Sequence, residues 1–407
     1  MPARADSPPT KRFHDLDALR ACAMLLGVLL HATFHTIPWR YFRYPILPGG
    51  PNVWALPYFH AVQLIHGLRM PVFFLLSGFF CALLLQRRGL KGLLKNRILR
   101  IALPLLICIP TIRNLEFIIN QLNWGDNPTS AEWFNAVVIS DLSNLWFLWQ
   151  LLLLSGLFLL ALRLGLRFRH NLWWLLLPLA WLPAFHMDQE FLVFGPETSV
   201  AVLVDIEVLA YYACFYFFGV FFYQRGFQVR RWWMIAILPA VTLVYPLAIP
   251  LLFVHERLRE VTAQIQGSLL ETLFAWLMCF GMMGLFRAIA ARERPWVRLL
   301  ADAAFWIYLT HELLMQVLAR HIRALVPNPH LFYITLVLVV SGLLLLAWRR
   351  EVRYSWFGTL LNGKRRRPEA GREATGFGSA VPAQALTASP SPAQTLTASP
   401  PPAQGGS

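Results

Sequence analysis

Apolar stretches of twenty or more residues recur along the chain and are separated by short polar segments. A helix needs about 20 mostly apolar residues to cross the hydrocarbon core of a membrane. Backbone groups in lipid must also be hydrogen-bonded within the spanning structure. The pattern therefore predicts an all-α polytopic membrane protein with about ten transmembrane helices. Their predicted cores are residues 17–37, 58–85, 98–119, 144–163, 171–187, 203–223, 232–254, 268–290, 299–319 and 330–348.

Composition supports a membrane protein. Hydrophobic residues make up 57% of the 407 positions and charged residues only 14%, whereas a soluble domain carries roughly 25% charged residues. The formal net charge is +15, but the basic residues interrupt the apolar runs and form no single patch of the kind that binds nucleic acid. We therefore expect the lipid bilayer, and no nucleic acid, as a partner.

Lysine and arginine are concentrated in alternate polar segments, at residues 87–97, 163–169, 225–231 and 287–298. The positive-inside rule assigns such segments to the cytoplasm. Both termini are then cytoplasmic, which agrees with an even number of helices. We predict a cytoplasmic segment at residues 1–16, a transmembrane domain at 17–362 and a disordered Pro/Ala/Ser-rich cytoplasmic tail at 363–407, in which PAQALTASPS is followed by PAQTLTASPP.

Ionisable residues within the apolar stretches are the main functional signal, because a charge at the bilayer centre costs at least about 2.5–3.5 kcal/mol. The first stretch carries such residues on one helical face: Asp17, Arg20, His31 and His35, together with Gly27. Arg20 and His31 are about 16 Å apart along the helix axis. One interpretation is structural: Arg20 pairs with Asp17 and extends to the membrane surface.

Two further stretches carry charge at mid-depth. The second contains His66, Arg69 and Ser77, and the ninth contains Tyr308, His311 and Glu312. An arginine at that depth needs a carboxylate, a water-filled cavity or an anionic substrate, and Glu312 is one possible structural partner for Arg69. The cysteines and histidines do not have the spacing of a zinc site, so no metal site is predicted.

The segments LDALRACAMLLGVLLHATF, IHGLRMPVFFLLSGFF and AAFWIYLTHELL resemble the membrane-bound acyltransferase-3 family, and the resemblance extends over about residues 13–362. Arg20, ten residues and His31 match the signature of the family. Within it, the chain is most similar to a subgroup thought to succinylate osmoregulated periplasmic glucans. The resemblance implies an O-acyltransferase of the bacterial inner membrane that moves an acyl group, expected to be succinyl, from cytoplasmic acyl-CoA to hydroxyls of a periplasmic glucan or another extracytoplasmic carbohydrate.

The same resemblance implies the roles of the site residues. No permanently bound cofactor is expected, and succinyl-CoA or acetyl-CoA is the donor substrate. His31 is expected either to deprotonate the acceptor hydroxyl or to form an acyl-histidine, and the sequence leaves both open. The predicted catalytic residues are His31, Arg69 and His311; the donor-binding residues are Arg20, Arg97 and Arg100; the substrate-binding residues are His66, Ser77, Tyr308 and Glu312.

Two other functions fit the sequence. One is an O-acetyltransferase of a surface polysaccharide. The other is a secondary transporter or exporter of a small anion, in which Arg20, Arg69 and the histidines would line a translocation path. Such transporters often contain paired broken helices in an internal repeat, and no repeat of that kind is evident in the apolar stretches.

Overall fold

Helices make up nearly all the regular structure. The computed structural model describes residues 13–38, 46–47, 50–51, 53–124, 142–165, 171–187, 193–258 and 260–362. The predicted tail at 363–407 and most of the predicted N-terminal segment, residues 1–12, lie outside the described residues. The first helices are α1 (His14–Thr36), α2 (Leu56–Arg97), α3 (Leu103–Trp124) and α4 (Trp146–Arg163). Between α1 and α2, the two-residue strands β1 (Ile46–Leu47) and β2 (Gly50–Pro51) pair antiparallel.

The remaining helices begin after residue 170. They are α5 (Leu176–Leu179), α6 (Trp181–His186), α7 (Ile206–Gln224), α8 (Ile237–Pro239), α9 (Tyr245–Leu258), α10 (Val261–Ile289), α11 (Pro295–Leu325), α12 (Pro329–Arg350) and α13 (Trp356–Asn362). Short 3₁₀ turns lie at Val53–Ala55, Ser143–Leu145, Asn171–Leu175, Arg231–Ala236 and Val352–Tyr354, and π-helical turns at Ile98–Ala102 and Ala240–Val244.

Seven helical stretches in the described part of the chain are long and apolar enough to cross a membrane. This confirms a multi-pass helical membrane protein. The seven are His14–Thr36, Val53–Glu116, Ser143–Arg163, Ile206–Gln224, Arg231–His255, Val261–Ile289 and Pro329–Tyr354.

The count of ten helices and the cytoplasmic position of the termini stay predictions. Val53–Glu116 is 64 residues long, more than one crossing requires at 1.5 Å per residue. It is interrupted at Gly89, whose φ is 67°, and at the π turn Ile98–Ala102. The predicted ninth stretch falls on α11, which is absent from the seven.

Helices α2 and α7 form the most extensive helix pair, and two glycines make their close approach possible. A Cβ atom on Gly78 would overlap the Tyr216 carbonyl oxygen, and one on Gly219 would overlap the Leu75 carbonyl oxygen. Small residues permit such backbone contact between membrane helices. Helix α1 packs against α2, α10, α11 and α12, so both of its faces meet other helices.

A strap, defined as residues 193–205, crosses the end of the bundle opposite the basic loops. The Phe194 N–H donates to Gln63 Oε1 of α2 at 2.5 Å, and the Leu142 N–H donates to the Val200 carbonyl at 2.7 Å. Trp149 Nε1 of α4 donates to the Val202 carbonyl at 3.0 Å. The strap is therefore attached to both α2 and α4.

Candidate functional site

Glu312 of α11 lies between two histidines of α1. One carboxylate oxygen is 3.2 Å from His31 Nδ1, and the other is 3.2 Å from His35 Nε2. Gln316 Nε2 donates to the same oxygen as His35, at 3.3 Å. Residues four apart share a helix face, so one carboxylate reaches both histidines. Among the described residues Glu312 makes no ion pair with Arg69; its two carboxylate oxygens lie against the two histidines instead.

His311 adds a second imidazole to this cluster. Its Nδ1 lies 3.0 Å from the Ile307 carbonyl and 2.8 Å from the Tyr308 carbonyl, so Nδ1 carries the proton and donates it to the backbone. Its Nε2 is then an acceptor, and it is buried with no hydrogen-bond partner among the described residues. The rings of His311 and His31 are 5.1 Å apart between centroids.

Arg69 meets His311 beside Gly27. A Cβ atom on Gly27 would lie 2.5 Å from Arg69 Nη1 and 3.8 Å from His311 Nε2. Arg69 is buried, and within the described residues no carboxylate lies at ion-pair distance from it and its Nε has no hydrogen-bond partner. A buried charge without a partner costs several kcal/mol. The guanidinium is therefore suited to an anionic ligand or to negative charge that develops during a reaction.

An aromatic layer, defined as Phe73, Phe147 and Tyr308, lies directly on the basic side of this histidine cluster. The ring centroids of Phe73 and Phe147 are 4.4 Å apart, and those of Phe147 and Tyr308 are 5.4 Å apart, both edge to face. The Tyr308 hydroxyl donates to the Asn144 carbonyl. Its single hydrogen is thus engaged with the backbone, which holds the ring in the layer.

Two adjoining cavities lie on the basic side of the layer. The arginine cavity, of about 160 Å³, has Phe73 and Phe147 in its wall together with Ser77 and the three predicted donor-binding residues Arg20, Arg97 and Arg100. The mouth cavity, of about 190 Å³, shares Arg20 and Arg100 with it and adds Arg292, Arg294 and Arg298. The structure thus brings Arg20, Arg97 and Arg100 together at one cavity, and their role in donor binding stays a prediction.

Arg20 also makes the structural contact that the sequence suggested. Its Nη2 lies 3.4 Å from Asp17 Oδ1, which confirms that pair, and its guanidinium lies 5.1 Å from the centre of the Phe80 ring. The pair is partly exposed and lines the mouth cavity. Pairing and a role in a cavity are therefore compatible for this arginine.

The predicted site residues thus separate into two groups on either side of the aromatic layer. His31, Arg69, His311 and Glu312 lie on one side and Arg20, Arg97, Arg100 and Ser77 on the other, with Tyr308 in the layer itself. His66, which precedes Arg69 by three residues on α2, donates its Nδ1–H to the Phe194 carbonyl of the strap at 3.1 Å.

Sequence reasoning missed three kinds of residue. His35 and Gly27 were visible on the helical face of His31, but their contacts with Glu312 and Arg69 were not. Phe147 had no signal beyond hydrophobicity. Arg292, Arg294 and Arg298 served only to predict the orientation in the membrane, although they line the mouth cavity.

Comparison with known proteins identifies the family of the chain. The acyltransferase domain model of the acyltransferase-3 family matches residues 13–348, which include every predicted site residue. No solved structure matches the chain.

Among individual relatives, the chain is 35% identical over 159 residues to proteins named glucans biosynthesis protein C from Salmonella schwarzengrund and from Salmonella typhi. The match covers 37% of this chain and 38% of each relative, so the chain spans well under half the length of these relatives. The family match, in contrast, extends over most of the chain and across both groups of site residues. The chain therefore belongs to the acyltransferase-3 family of membrane acyltransferases.

Proposed function

We propose that this membrane acyltransferase transfers a succinyl group from succinyl-CoA, bound among the basic loops, to a hydroxyl of a periplasmic glucan at the opposite end of the bundle. The name of its relatives, glucans biosynthesis protein C, supports a glucan acceptor. The proposal depends above all on the contact of Glu312 with His31 beside Arg69. This contact places a base, His31, next to a cation, Arg69, that has no carboxylate partner in the described part of the bundle.

The donor end is supported by charge. Arg20, Arg97 and Arg100 line the arginine cavity, and arginine forms paired hydrogen bonds to phosphate oxygens. In this proposal the three arginines bind the phosphates of coenzyme A in the arginine cavity. The thioester then extends past the aromatic layer toward Arg69. Ser77 lies in the same cavity wall and is suited to contact the pantetheine chain.

His31 is the base in this mechanism. Glu312 Oε2 lies 3.2 Å from His31 Nδ1. In the proposed reaction it accepts the Nδ1–H, which leaves Nε2 free to take the proton of the acceptor hydroxyl. The hydroxyl oxygen attacks the thioester carbonyl carbon, a C–O bond forms, and the C–S bond breaks. His31 then returns the proton to the departing thiolate of coenzyme A, so that protons and electrons balance.

Arg69 and His311 also assist this step. Arg69 stabilises the negative charge on the carbonyl oxygen as the tetrahedral intermediate forms. His311 Nε2, a lone-pair acceptor, receives a hydrogen bond from a second hydroxyl of the sugar and orients it. His35 shares Glu312 with His31 and holds the carboxylate in place.

The test uses sealed vesicles in which the basic loops face added radiolabelled succinyl-CoA, with glucan enclosed. We expect label on the glucan, and His31→Ala lowers the rate about 10²- to 10⁴-fold, the contribution of a general base, at unchanged protein abundance. Label that accumulates on the protein would instead indicate an acyl-histidine. Uptake of unmodified solute without transfer contradicts the proposal and favours a transporter.

The acyl group is identified by mass spectrometry of periplasmic glucans from cells with and without the protein. A mass increment of succinate supports the proposed donor. An increment of acetate assigns the O-acetyltransferase alternative, and no increment excludes these glucans as acceptors.

A further inference from the structure

A large apolar groove lies on the side of the bundle formed by α1, α10, α11 and α12. Its volume is about 650 Å³, and its walls include Leu25 of α1, Phe286 of α10, Ile307 of α11 and Leu345 of α12. Along α1 it extends from Ala18 to Leu29, about 16 Å at 1.5 Å per residue. That is about half of the 30 Å hydrocarbon core, so the groove has the length of one leaflet.

One end of the groove is basic. Arg294 and Trp296 line it, and Arg294 also lines the mouth cavity, so the groove continues into the polar region. Arg294 is exposed, and within the described residues no carboxylate lies at ion-pair distance from it. Its neighbour Arg298, in contrast, donates to Glu293 Oε1 at 2.7 Å. Tryptophan is typical of the level of lipid headgroups.

We propose that this groove binds one anionic phospholipid, with its phosphate on Arg294 and an acyl chain along α1. Basic pockets between transmembrane helices bind anionic headgroups in this way. The apolar length of the groove corresponds to one chain of one leaflet, and Arg294 at its end supplies charge complementarity. This inference goes beyond the proposed function and holds whichever acyl group the protein transfers.

The acyl chain of the donor is a poorer candidate for the same groove. Cys22, Leu25 and Leu29 of α1 line it, and at 100° per residue they lie on the face opposite Gly27 and His31. Helix α1 itself therefore separates the groove from Arg69 and His311. A thioester with its chain in the groove would not reach the proposed base.

Two substitutions test the two halves of the groove. Arg294→Gln removes the headgroup contact. Gly342→Leu fills the apolar part, because Gly342 lines the groove and a Cβ atom there meets nothing within 4 Å. Matched controls exist for both: Arg292→Gln changes an arginine that lines the mouth cavity but not the groove, and Gly156→Leu changes a glycine of α4 whose Cβ also meets nothing within 4 Å.

The measurement is native mass spectrometry of the purified full chain titrated with phosphatidylglycerol or phosphatidylethanolamine. We expect one tightly bound phosphatidylglycerol per chain. Its Kd rises about five-fold in Arg294→Gln, which corresponds to about 1 kcal/mol for one arginine at an anionic headgroup. Gly342→Leu abolishes the bound species, and both controls retain it.

Three results would overturn the inference. One is equal binding of the zwitterionic and the anionic lipid. Another is retention of phosphatidylglycerol by Gly342→Leu to the same extent as by Gly156→Leu. The third is displacement of the bound lipid by long-chain acyl-CoA but not by added phosphatidylglycerol, which would assign the groove to the donor chain.

Discussion

At the scale of single residues, the carboxylate of Glu312 organises the site. It lies 3.2 Å from both His31 and His35, so in the proposed mechanism it orients the ring of His31 and sets its tautomer. Imidazole is the side chain whose unperturbed pKa lies nearest neutral pH. A carboxylate that holds its Nδ1–H keeps Nε2 available as a base, so Glu312 is a positioning residue in the proposed mechanism.

Replacement of this carboxylate by an amide gives the first prediction. Glu312→Gln keeps the size of the side chain but removes its charge, so His31 loses its orientation. We expect kcat to fall about 10²-fold or more, within the range of general-base catalysis, with little change in donor KM. Steady-state transfer in vesicles measures both constants. Gln316→Ala is the matched control, because it removes only a neighbour of Glu312, and equal losses in the two variants would contradict the role of Glu312.

The second prediction concerns Gly27. Alanine has the higher helix propensity, by roughly 0.5–1 kcal/mol, but its Cβ would lie 2.5 Å from Arg69 Nη1. Gly27→Ala should therefore displace Arg69 and abolish most of the transfer while thermal stability in detergent is retained. Gly156→Ala, where the added Cβ meets open space, should keep both. Full activity in Gly27→Ala would remove Arg69 from the site as described.

Individual residues of the site were predictable where chemistry stands out against an apolar background. Arg20, His31, Arg69 and His311 were found because a charge or imidazole is costly in lipid. The contact between His31 and Glu312 joins residues 281 positions apart. The contact depends on how α1 packs against α11, and no local sequence pattern encodes that packing. The sequence therefore suggested Arg69 as the partner of Glu312.

At the scale of elements, the crossing of α2 and α7 shows how glycine determines helix packing. Each helix places a glycine against a backbone carbonyl of the other, Gly78 against Tyr216 and Gly219 against Leu75. This contact holds α2, and with it Arg69, at a set distance from the rest of the bundle. A larger residue at either position would separate the helices.

The third prediction follows from that contact. Gly78→Ala places a Cβ atom against the backbone carbonyl of Tyr216. A backbone group in a packed helix cannot move aside, whereas the end of an arginine side chain can. We expect a loss of stability of about 1–3 kcal/mol, as for other overpacked interiors, and a lower midpoint of thermal unfolding in detergent. Gly27→Ala is the comparison, since the short contact of its Cβ is with the end of a flexible arginine side chain. An unchanged midpoint for Gly78→Ala would show that the crossing tolerates expansion.

Most elements were predictable from apolar run length, and the departures have physical causes. The predicted core 17–37 corresponds to His14–Thr36, whereas 58–85 is only part of Leu56–Arg97. The extra residues include five basic ones, at 87, 88, 91, 95 and 97, and they extend the helical stretch past the interruption at Gly89. Helix α11 was predicted despite its charges, and those same charges keep it outside the seven stretches that qualify by composition.

At the scale of the whole molecule, the aromatic layer separates the arginine cavity from the histidine cluster. Phe147 contacts Phe73 on one side and Tyr308 on the other, and it lines the arginine cavity. An acyl group that reaches Arg69 from this cavity must pass its ring. In the proposed mechanism, the layer therefore favours short acyl groups.

The fourth prediction tests this selection. Phe147→Ala should raise kcat/KM for a longer acyl-CoA, such as octanoyl-CoA, relative to succinyl-CoA, because the removed ring opens space beside the cavity. A competition assay with both donors gives the ratio. Phe158→Ala, at a buried phenylalanine of the same helix outside the cavity wall, should leave the ratio unchanged. Equal ratios in both variants would show that the layer does not select the donor.

The three rings of the aromatic layer also affect whether ions and protons can leak through the protein. A polar passage open to water on both sides of a membrane would conduct ions and protons, and each elementary charge that crosses 100 mV dissipates about 2.3 kcal/mol. Closely packed rings exclude the continuous file of water that such conduction needs. In the proposed mechanism, the enzyme can therefore transfer a small group across the bilayer and still leave the proton-motive force intact.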